Sequence, residues 1–324
     1  MANPNFKMEN KLNILVVGFG MMGCRHVQAL LQNKEKFKVH VLEPSAENVE
    51  TNAARIGAKP EDCSWYNSLG EVPPVELAIV ATSSAPRFNI VKTLIESGCK
   101  FFLLEKIVFQ SVDQFKEIME LMNANGVKAY CNFVNRYFEA YNEIKQELNA
   151  DTHLEMLVYG NAFGLGCNAI HYIDIFQYLT ANNNLIIDSS SVSKIEIENR
   201  RGTQYREFTG TLKMKNDKGD KVTIIADPEF LGGVTINIRQ GNKEYLLSEQ
   251  SQKYYSIGVG SNDKKDFTIT PTSRLSDKIT LEILEGNCRL TRLEETFQSH
   301  QLLFEVFNNC LFGEHLNVTL CSIT

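Results

Sequence analysis

Residues 13–25 read Asn-Ile-Leu-Val-Val-Gly-Phe-Gly-Met-Met-Gly-Cys-Arg, and this stretch decides the fold. The four apolar residues Ile14, Leu15, Val16 and Val17 form the continuous run expected of a parallel strand buried on both faces. Gly18, Gly20 and Gly23 follow with G-x-G-x-x-G spacing, and the apolar positions Val27, Leu30 and Leu31 continue as a helix. Each glycine has a separate physical task. Gly18 permits a tight turn, Gly20 lets the backbone approach a pyrophosphate, and Gly23 lets helix and strand pack closely. The first amides of the helix lack intrahelical partners and favour an anion. Phe19, Met21 and Met22 lie between the glycines and share the cradle. A second apolar strand at 37–42 ends at Glu43, 20 residues past Gly23, where a carboxylate can accept hydrogen bonds from the ribose hydroxyls of NAD. The same carboxylate disfavours the 2′-phosphate of NADP, so NAD is the expected cofactor.

Outward from this stretch, strands and helices alternate. A helix is expected over 46–56, stopped by Gly57, then a loop with Cys63, Trp65 and Tyr66. Strands are expected at 77–81, 101–104 and 127–133, with helices at 88–97 and 112–125 between them. This order implies a doubly wound parallel sheet with right-handed crossovers. From about Arg136 the pattern changes. Helices are expected at 138–148 and 170–179, with a strand at 153–159. Period-two segments follow at 192–198, 208–215, 222–226, 234–239 and 244–247, and Asn216-Asp217-Lys218-Gly219 reads as a hairpin turn. A helix over 292–309 comes last. The expected architecture is α/β: a dinucleotide-binding domain over 1–135, and an α+β domain over 136–324 built on a largely antiparallel, open sheet.

Composition excludes several classes. In 324 residues, 43% are hydrophobic and 22% charged, as in globular chains, and the net charge of −6 lacks the clustered basic face of a nucleic-acid binder. No apolar run reaches the roughly 18 residues of a membrane helix, and residues 1–10 lack the apolar core of a signal peptide. The eight cysteines include no Cys-x-x-Cys pair and the six histidines are dispersed. No metal site is therefore expected, and a reducing, cytoplasmic setting is.

Lys106 follows Glu105 at the carboxyl end of a strand, where ligands of doubly wound sheets bind, and could set an ammonium beside a reacting oxygen. It could equally be a strand-end lysine paired with a carboxylate. His171 and Asp174 lie three apart on one helix face, a spacing suited to an acid–base pair or to a plain surface contact. Residues 164–168, Gly-Leu-Gly-Cys-Asn, read as a flexible entry against which a substrate can lie.

These elements together resemble the Gfo/Idh/MocA family, the glucose–fructose oxidoreductase and inositol dehydrogenase type, over nearly the whole chain. The resemblance rests on the 18–23 glycine motif, Ile79-Val-Ala-Thr82, Gly98, Glu105-Lys106, Arg136-Tyr137, His171-x-x-Asp174 and Leu-Thr-Arg-Leu-Glu-Glu at 290–295. It implies that Lys106 and His171 flank the substrate carbon, and that Asp174 orients the substrate or His171. It places Thr82 in the nicotinamide pocket, makes Ser83 and Glu105 cofactor-binding, sets Arg136 near the active-site entrance, and makes Arg136 and Asn168 substrate-binding. A homodimer or homotetramer acting on a sugar or nucleotide-linked sugar is implied too. Two positions depart from the family pattern: Ile107 stands where proline is usual, and Arg87 where a histidine is common. Arg87 could meet a phosphate or form a surface ion pair. Ile107 keeps open a non-catalytic NAD(H)-binding regulator or scaffold of the same fold.

Overall fold

The computed structural model describes residues 11–195, 202–258, 261–313 and 318–324. The expectation for residues 1–10, and the last residues of the strand expected at 192–198, lie outside these. The chain divides into two compact units. One comprises residues up to Glu105 with Ile118–Asn132 and Pro271–Arg289, and the other comprises Lys106–Glu117, Phe133–Thr270 and the residues from Leu290. The chain therefore crosses between units repeatedly, where one cut at 135/136 is the sequence expectation. In particular Lys106 opens a segment of the second unit.

The first unit runs β1 (Leu12–Val17), α1 (Met21–Leu30), β2 (Phe37–Leu42), α2 (Ala46–Ile56), β3 (Ser64–Tyr66), β4 (Leu77–Val80), α3 (Ser84–Glu96), β5 (Phe101–Leu104), then α4 (Val112–Asn125), which joins this unit only from Ile118, and β6 (Lys128–Cys131). The strand order is β3-β2-β1-β4-β5-β6, and every pair is parallel. In β1, Ile14, Leu15, Val16 and Val17 are all buried, as are all of β4's residues. Burial on both faces is why these strands read as unbroken apolar runs. α3 begins four residues before the expected start, because Pro86 in the first turn needs no amide partner. The segment expected as a loop around Trp65 supplies β3, a three-residue edge strand too short to show a period.

The second unit holds α5 (Glu139–Glu147), β7 (Leu154–Gly160), α6 (Leu165–Thr180), β8 (Leu185–Ile195), β9 (Glu207–Asn216), β10 (Lys221–Ala226), β11 (Thr235–Gln240), β12 (Lys243–Ser248), β13 (Lys253–Gly258) and β14 (Ser261–Asp266). A further helix, α7 (Ser276–Glu285), returns to the first unit and packs on α1, while α8 (Leu293–Phe312) belongs to the second. The order β14-β13-β12-β11-β7-β10-β9-β8 is antiparallel except for β7 with β10. Strands β7, β10 and β11 alternate buried and exposed positions, the mark of a sheet with one covered face. The covering layer is α6 and α8, with Phe208 of β9 stacked on Phe307 of α8 at 4.3 Å. Strands β13 and β14 escape the sequence reading: the latter, Ser-Asn-Asp-Lys-Lys-Asp, is a polar edge strand with no apolar alternation. Among the described residues no helix is long and apolar enough to cross a membrane.

Candidate active site

The cradle in the first unit follows from the three glycines. Gly18 has φ +85°, and a Cβ there would lie 3.0 Å from the Thr82 side chain. At Gly23 a Cβ would lie 1.8 Å from the Gly18 carbonyl oxygen, so α1 rests directly on the turn that precedes it. Among the described residues nothing stands within 4 Å of a Cβ on Gly20, which leaves its backbone open to an incoming group. Gly20 is also the N-cap of α1 and brings no side-chain acceptor to the first amides. Beside this turn the Thr82 hydroxyl is buried with no hydrogen-bond partner among the described residues. Open backbone, uncapped helix amides and a waiting hydroxyl fit a dinucleotide.

Glu43, just past the end of β2, is 9% exposed and has both carboxylate oxygens engaged within the chain. One carboxylate oxygen accepts the Phe19 amide at 2.8 Å, and the other accepts the Ser45 amide at 3.0 Å. The Asn52 side chain donates to the Phe19 carbonyl at 2.6 Å, and the Phe19 ring meets Trp65 edge-on. The glycine turn is thus held from outside by α2 and β3, a support that no spacing in 18–23 reveals. Met21 is 59% exposed at the first helical position, and Met22 is half-buried beside it.

At the strand ends two expectations are corrected. Arg87 is neither a surface ion pair nor a phosphate ligand: it is 1% exposed, and its guanidinium donates to the backbone carbonyls of Thr82 and Glu105. It ties the ends of β4 and β5 together because α3 starts early and carries it over both. Glu105, expected at the cofactor, instead turns its carboxylate inward to His26 at 3.0 Å and Asn132 at 2.6 Å. His26 continues to Ser276 of α7 at 2.7 Å. A buried carboxylate needs such donors, and α1 and β6 provide them. Ser83 is the N-cap of α3.

In the second unit the Lys106 ammonium donates to the Cys167 carbonyl oxygen at 3.1 Å and its sulfur at 2.9 Å. The next peptide bond, Lys106–Ile107, is cis, and Ile107 is fully buried. The His171 ring packs edge-on against Phe133 at 5.6 Å. Asp174 is corrected in part. It is 2% exposed and both its oxygens are committed elsewhere: Arg136 holds them through Nε at 2.9 Å and Nη2 at 2.8 Å, and Thr291 donates its hydroxyl. Burial pushes this carboxyl up, while Arg136 and Thr291 pull it back. His171 and Asp174 share a helix, but Asp174 is the anchor of Arg136. The structure therefore brings Lys106 to Cys167 and Arg136 to Asp174, as two local clusters.

Residues 164–168 are not a flexible entry. α6 starts five residues before the expected helix, so Cys167 and Asn168 sit in its first turn, and the Asn168 side chain donates to the Phe163 carbonyl. Two further carboxylates carry no signal in the sequence. Glu207, first residue of β9, accepts the Gly166 amide at 2.5 Å. Glu249, after β12, accepts the Tyr141 hydroxyl at 2.7 Å and the Asn135 amide group at 3.0 Å. Burial pushes both carboxyls up.

The sign of the Glu249 effect is set by that direction. The folded chain holds this proton more tightly than the unfolded chain, so the stabilisation is complete below the ordinary carboxylate range. It is lost as pH rises through the raised folded value. Glu249→Gln keeps an oxygen for Tyr141 and Asn135 but cannot ionise. Melting temperatures taken from about pH 4 to about pH 8 should therefore decline less towards neutrality in the variant than in the wild type. Parallel curves for the two proteins would show that Glu249 is not desolvated.

An all-parallel sheet in the order 3-2-1-4-5-6, with a glycine cradle after β1, defines a dinucleotide-binding unit of the Rossmann class. Residues 12–133 match the model of the GFO_IDH_MocA group, the oxidoreductase family with an NAD-binding Rossmann fold. That match covers less than half of the chain, and over this stretch the chain resembles the Rossmann unit of those oxidoreductases. The chain is 26% identical to the scyllo-inositol 2-dehydrogenase (NAD(+)) of Bacillus subtilis (strain 168), over 144 residues. That match spans 44% of this chain and 42% of the relative. Among solved structures, an oxidoreductase from Agrobacterium radiobacter in complex with NAD+, L-tartaric acid and magnesium superposes with TM-score 0.73 at 11% identity, covering 94% of this chain and 97% of that one. The WlbA dehydrogenase of Bordetella pertussis, in complex with NADH and UDP-GlcNAcA, superposes with TM-score 0.69 at 16% identity, again covering 94% and 97%. At these identities the superpositions establish a shared fold.

Proposed function

We propose that this chain is an NAD-dependent oxidoreductase that moves a hydride between the nicotinamide and a secondary alcohol or ketone of a sugar or nucleotide-linked sugar. The observation that carries the reading is the cradle: Gly20 open, Gly23 pressed under the Gly18 carbonyl, and the Thr82 hydroxyl without a partner among the described residues. Gly18, Phe19, Gly20, Met21, Met22 and Gly23 would hold the pyrophosphate, Glu43 the ribose, and Thr82 and Ser83 the nicotinamide side. The cofactor supplies hydride transfer. The sugar class is taken from the relatives, one named for an inositol and one solved with a nucleotide-linked sugar acid.

The chain's own part is to place charge and move a proton. Lys106, two residues past the end of β5, holds an ammonium against the Cys167 carbonyl, and His171 offers an imidazole whose ordinary pKa lies near neutrality. In the oxidative direction the His171 imidazole takes the hydroxyl proton, or Lys106 does so as the neutral amine. Arg136 is held rigid by Asp174, so its remaining guanidinium edge and Asn168 serve orientation of the substrate. Across the uncovered sheet face Leu157, Asn237, Leu246 and Tyr255 stand in one cross-strand row, with Leu157 40% and Tyr255 44% exposed. We assign this face to a homo-oligomer contact, and the protein to the cytoplasm.

Cofactor choice is checked by calorimetric titration. NADH should bind more tightly than NADPH by about tenfold or more, because the buried Glu43 carboxylate would oppose a 2′-phosphate. Equal or tighter NADPH binding would remove Glu43 from the ribose. Function is checked by screening sugars and nucleotide-sugars for NAD reduction and ketosugars for NADH oxidation, then comparing Lys106→Ala and His171→Ala. Each variant should keep NADH affinity and lose turnover by a factor on the order of a hundred. Full turnover in both would take them out of the mechanism. A wild type silent on every sugar yet tight for NADH would instead establish the regulator or scaffold.

A further inference from the structure

Lys106 has a long, flexible side chain, and what fixes its ammonium is the first turn of α6, through the Cys167 carbonyl and sulfur. A helix start is a weak platform: its first amides have no intrahelical partners, and it frays unless something accepts from them. Gly164, the N-cap of α6, has no side chain to do so. The acceptor comes from 41 residues away. Oε1 of Glu207 accepts the Gly166 amide at 2.5 Å and its neighbour's amide, that of Phe208, at 2.9 Å. The Cys167 amide donates to the same carboxylate.

The two glycines of the turn are explained by the same contact. A Cβ on Gly164 would lie 2.7 Å from Glu207 Oε2, and one on Gly166 would lie 2.8 Å from Oε1. The space they leave is filled by the chain's own carboxylate. A negative charge at the amide end of a helix is favoured by the helix dipole, and here it also lies close enough to Lys106 for the two charges to attract.

We propose that Glu207 is a positioning residue for Lys106: its carboxylate closes the amide end of α6 and so fixes the Cys167 carbonyl and thiol that hold the ammonium. The catalytic consequence rests on the reading of Lys106 given above; the structural consequence does not. Without Glu207 the 164–168 turn loosens, Lys106 loses its seat, and the cradle in the first unit keeps its own supports.

The test compares Glu207→Ala with Glu207→Gln, whose amide oxygen can still accept from the Gly166 and Phe208 amides. Hydrogen exchange by mass spectrometry reads the 164–168 segment, and acylation of Lys106, mapped by peptide, reads the ammonium's seat. Neither readout needs a substrate. In Glu207→Ala, exchange of the segment should rise about tenfold and Lys106 labelling several-fold, with NADH affinity within twofold of wild type. Glu207→Gln should restore most of the exchange protection. If Glu207→Ala does not fold, Glu207→Asp takes its place, being one methylene too short to reach the amides. Wild-type exchange and labelling in the alanine or aspartate variant would overturn the proposal. With a substrate in hand, kcat should fall about thirtyfold in Glu207→Ala with KM changed far less, and recover in part in Glu207→Gln. Loosened exchange and faster labelling in a protein whose Lys106→Ala variant keeps full turnover would uphold the positioning of Lys106 and reject its catalytic role.

Discussion

Gly23→Ala is expected to abolish NADH binding and to destabilise the first unit, while Gly20→Ala should weaken NADH and leave the fold intact. The difference lies in what a methyl group meets. At Gly23 it would lie 1.8 Å from the Gly18 carbonyl oxygen and 2.9 Å from the carbonyl carbon, both backbone atoms that no rotamer change can move. Relief requires α1 to lift from the turn after β1, and that turn is held in place by Glu43 on the Phe19 amide and Asn52 on the Phe19 carbonyl. Overpacking of a well-filled site costs about 1–3 kcal/mol even where side chains can yield. With a backbone carbonyl as the obstacle the cost should reach about 3 kcal/mol or more, and NADH affinity should fall at least about a hundredfold. At Gly20 the methyl enters open space, so only the approach of the pyrophosphate suffers. Thermal melts and calorimetry on the two variants make the comparison. A Gly23→Ala protein with native melting and native NADH affinity would refute the close packing of α1 on its turn.

Arg136→Met should be among the most destabilising substitutions in the second unit, by roughly 3–5 kcal/mol, the usual result of stranding one member of a buried ion pair. Asp174 is 2% exposed, and its oxygens accept from both Nε and Nη2 of Arg136 and from the Thr291 hydroxyl. Removing the guanidinium leaves a carboxylate in the interior with a single hydroxyl for company. Adding Asp174→Leu should recover most of the loss, because the cost belongs to the uncompensated charge and not to the missing attraction. The four proteins form a double-mutant cycle read by urea denaturation. An additive cycle would mean that the two residues do not share a buried contact, and that Arg136 is free to serve the substrate alone.

The parts of the molecule legible from residue order are those that depend on near neighbours. The runs at 14–17 and 77–80 specify buried parallel strands because each residue faces a covered side whatever lies beyond. The spacing of Gly18, Gly20 and Gly23 specifies the cradle, because turn, anion approach and helix packing are all settled within six residues. The doubly wound parallel sheet and the change of pattern after about residue 136 follow from the same local patterns, as does the Asn216–Gly219 hairpin turn joining β9 and β10.

What the tertiary structure alone decided is where each charged side chain points. Lys106, Arg136, His171 and Asp174 are all nameable from motifs, yet nothing within three positions of Asp174 says that it belongs to an arginine 38 residues away and not to the histidine on its own helix. Arg87 reads as a surface residue until α3 starts early and lays it across two strand ends. Glu105 turns inward to a histidine 79 residues away, and Glu207 reaches an amide 41 residues away, from a strand whose own pattern marks it only as a polar neighbour of Phe208. The reason is common to all of them. Apolar patterning is a property of a segment and repeats along it, so order suffices to read it; a buried charge must be matched once, by whichever donor or acceptor the packing of distant elements brings within about 3 Å.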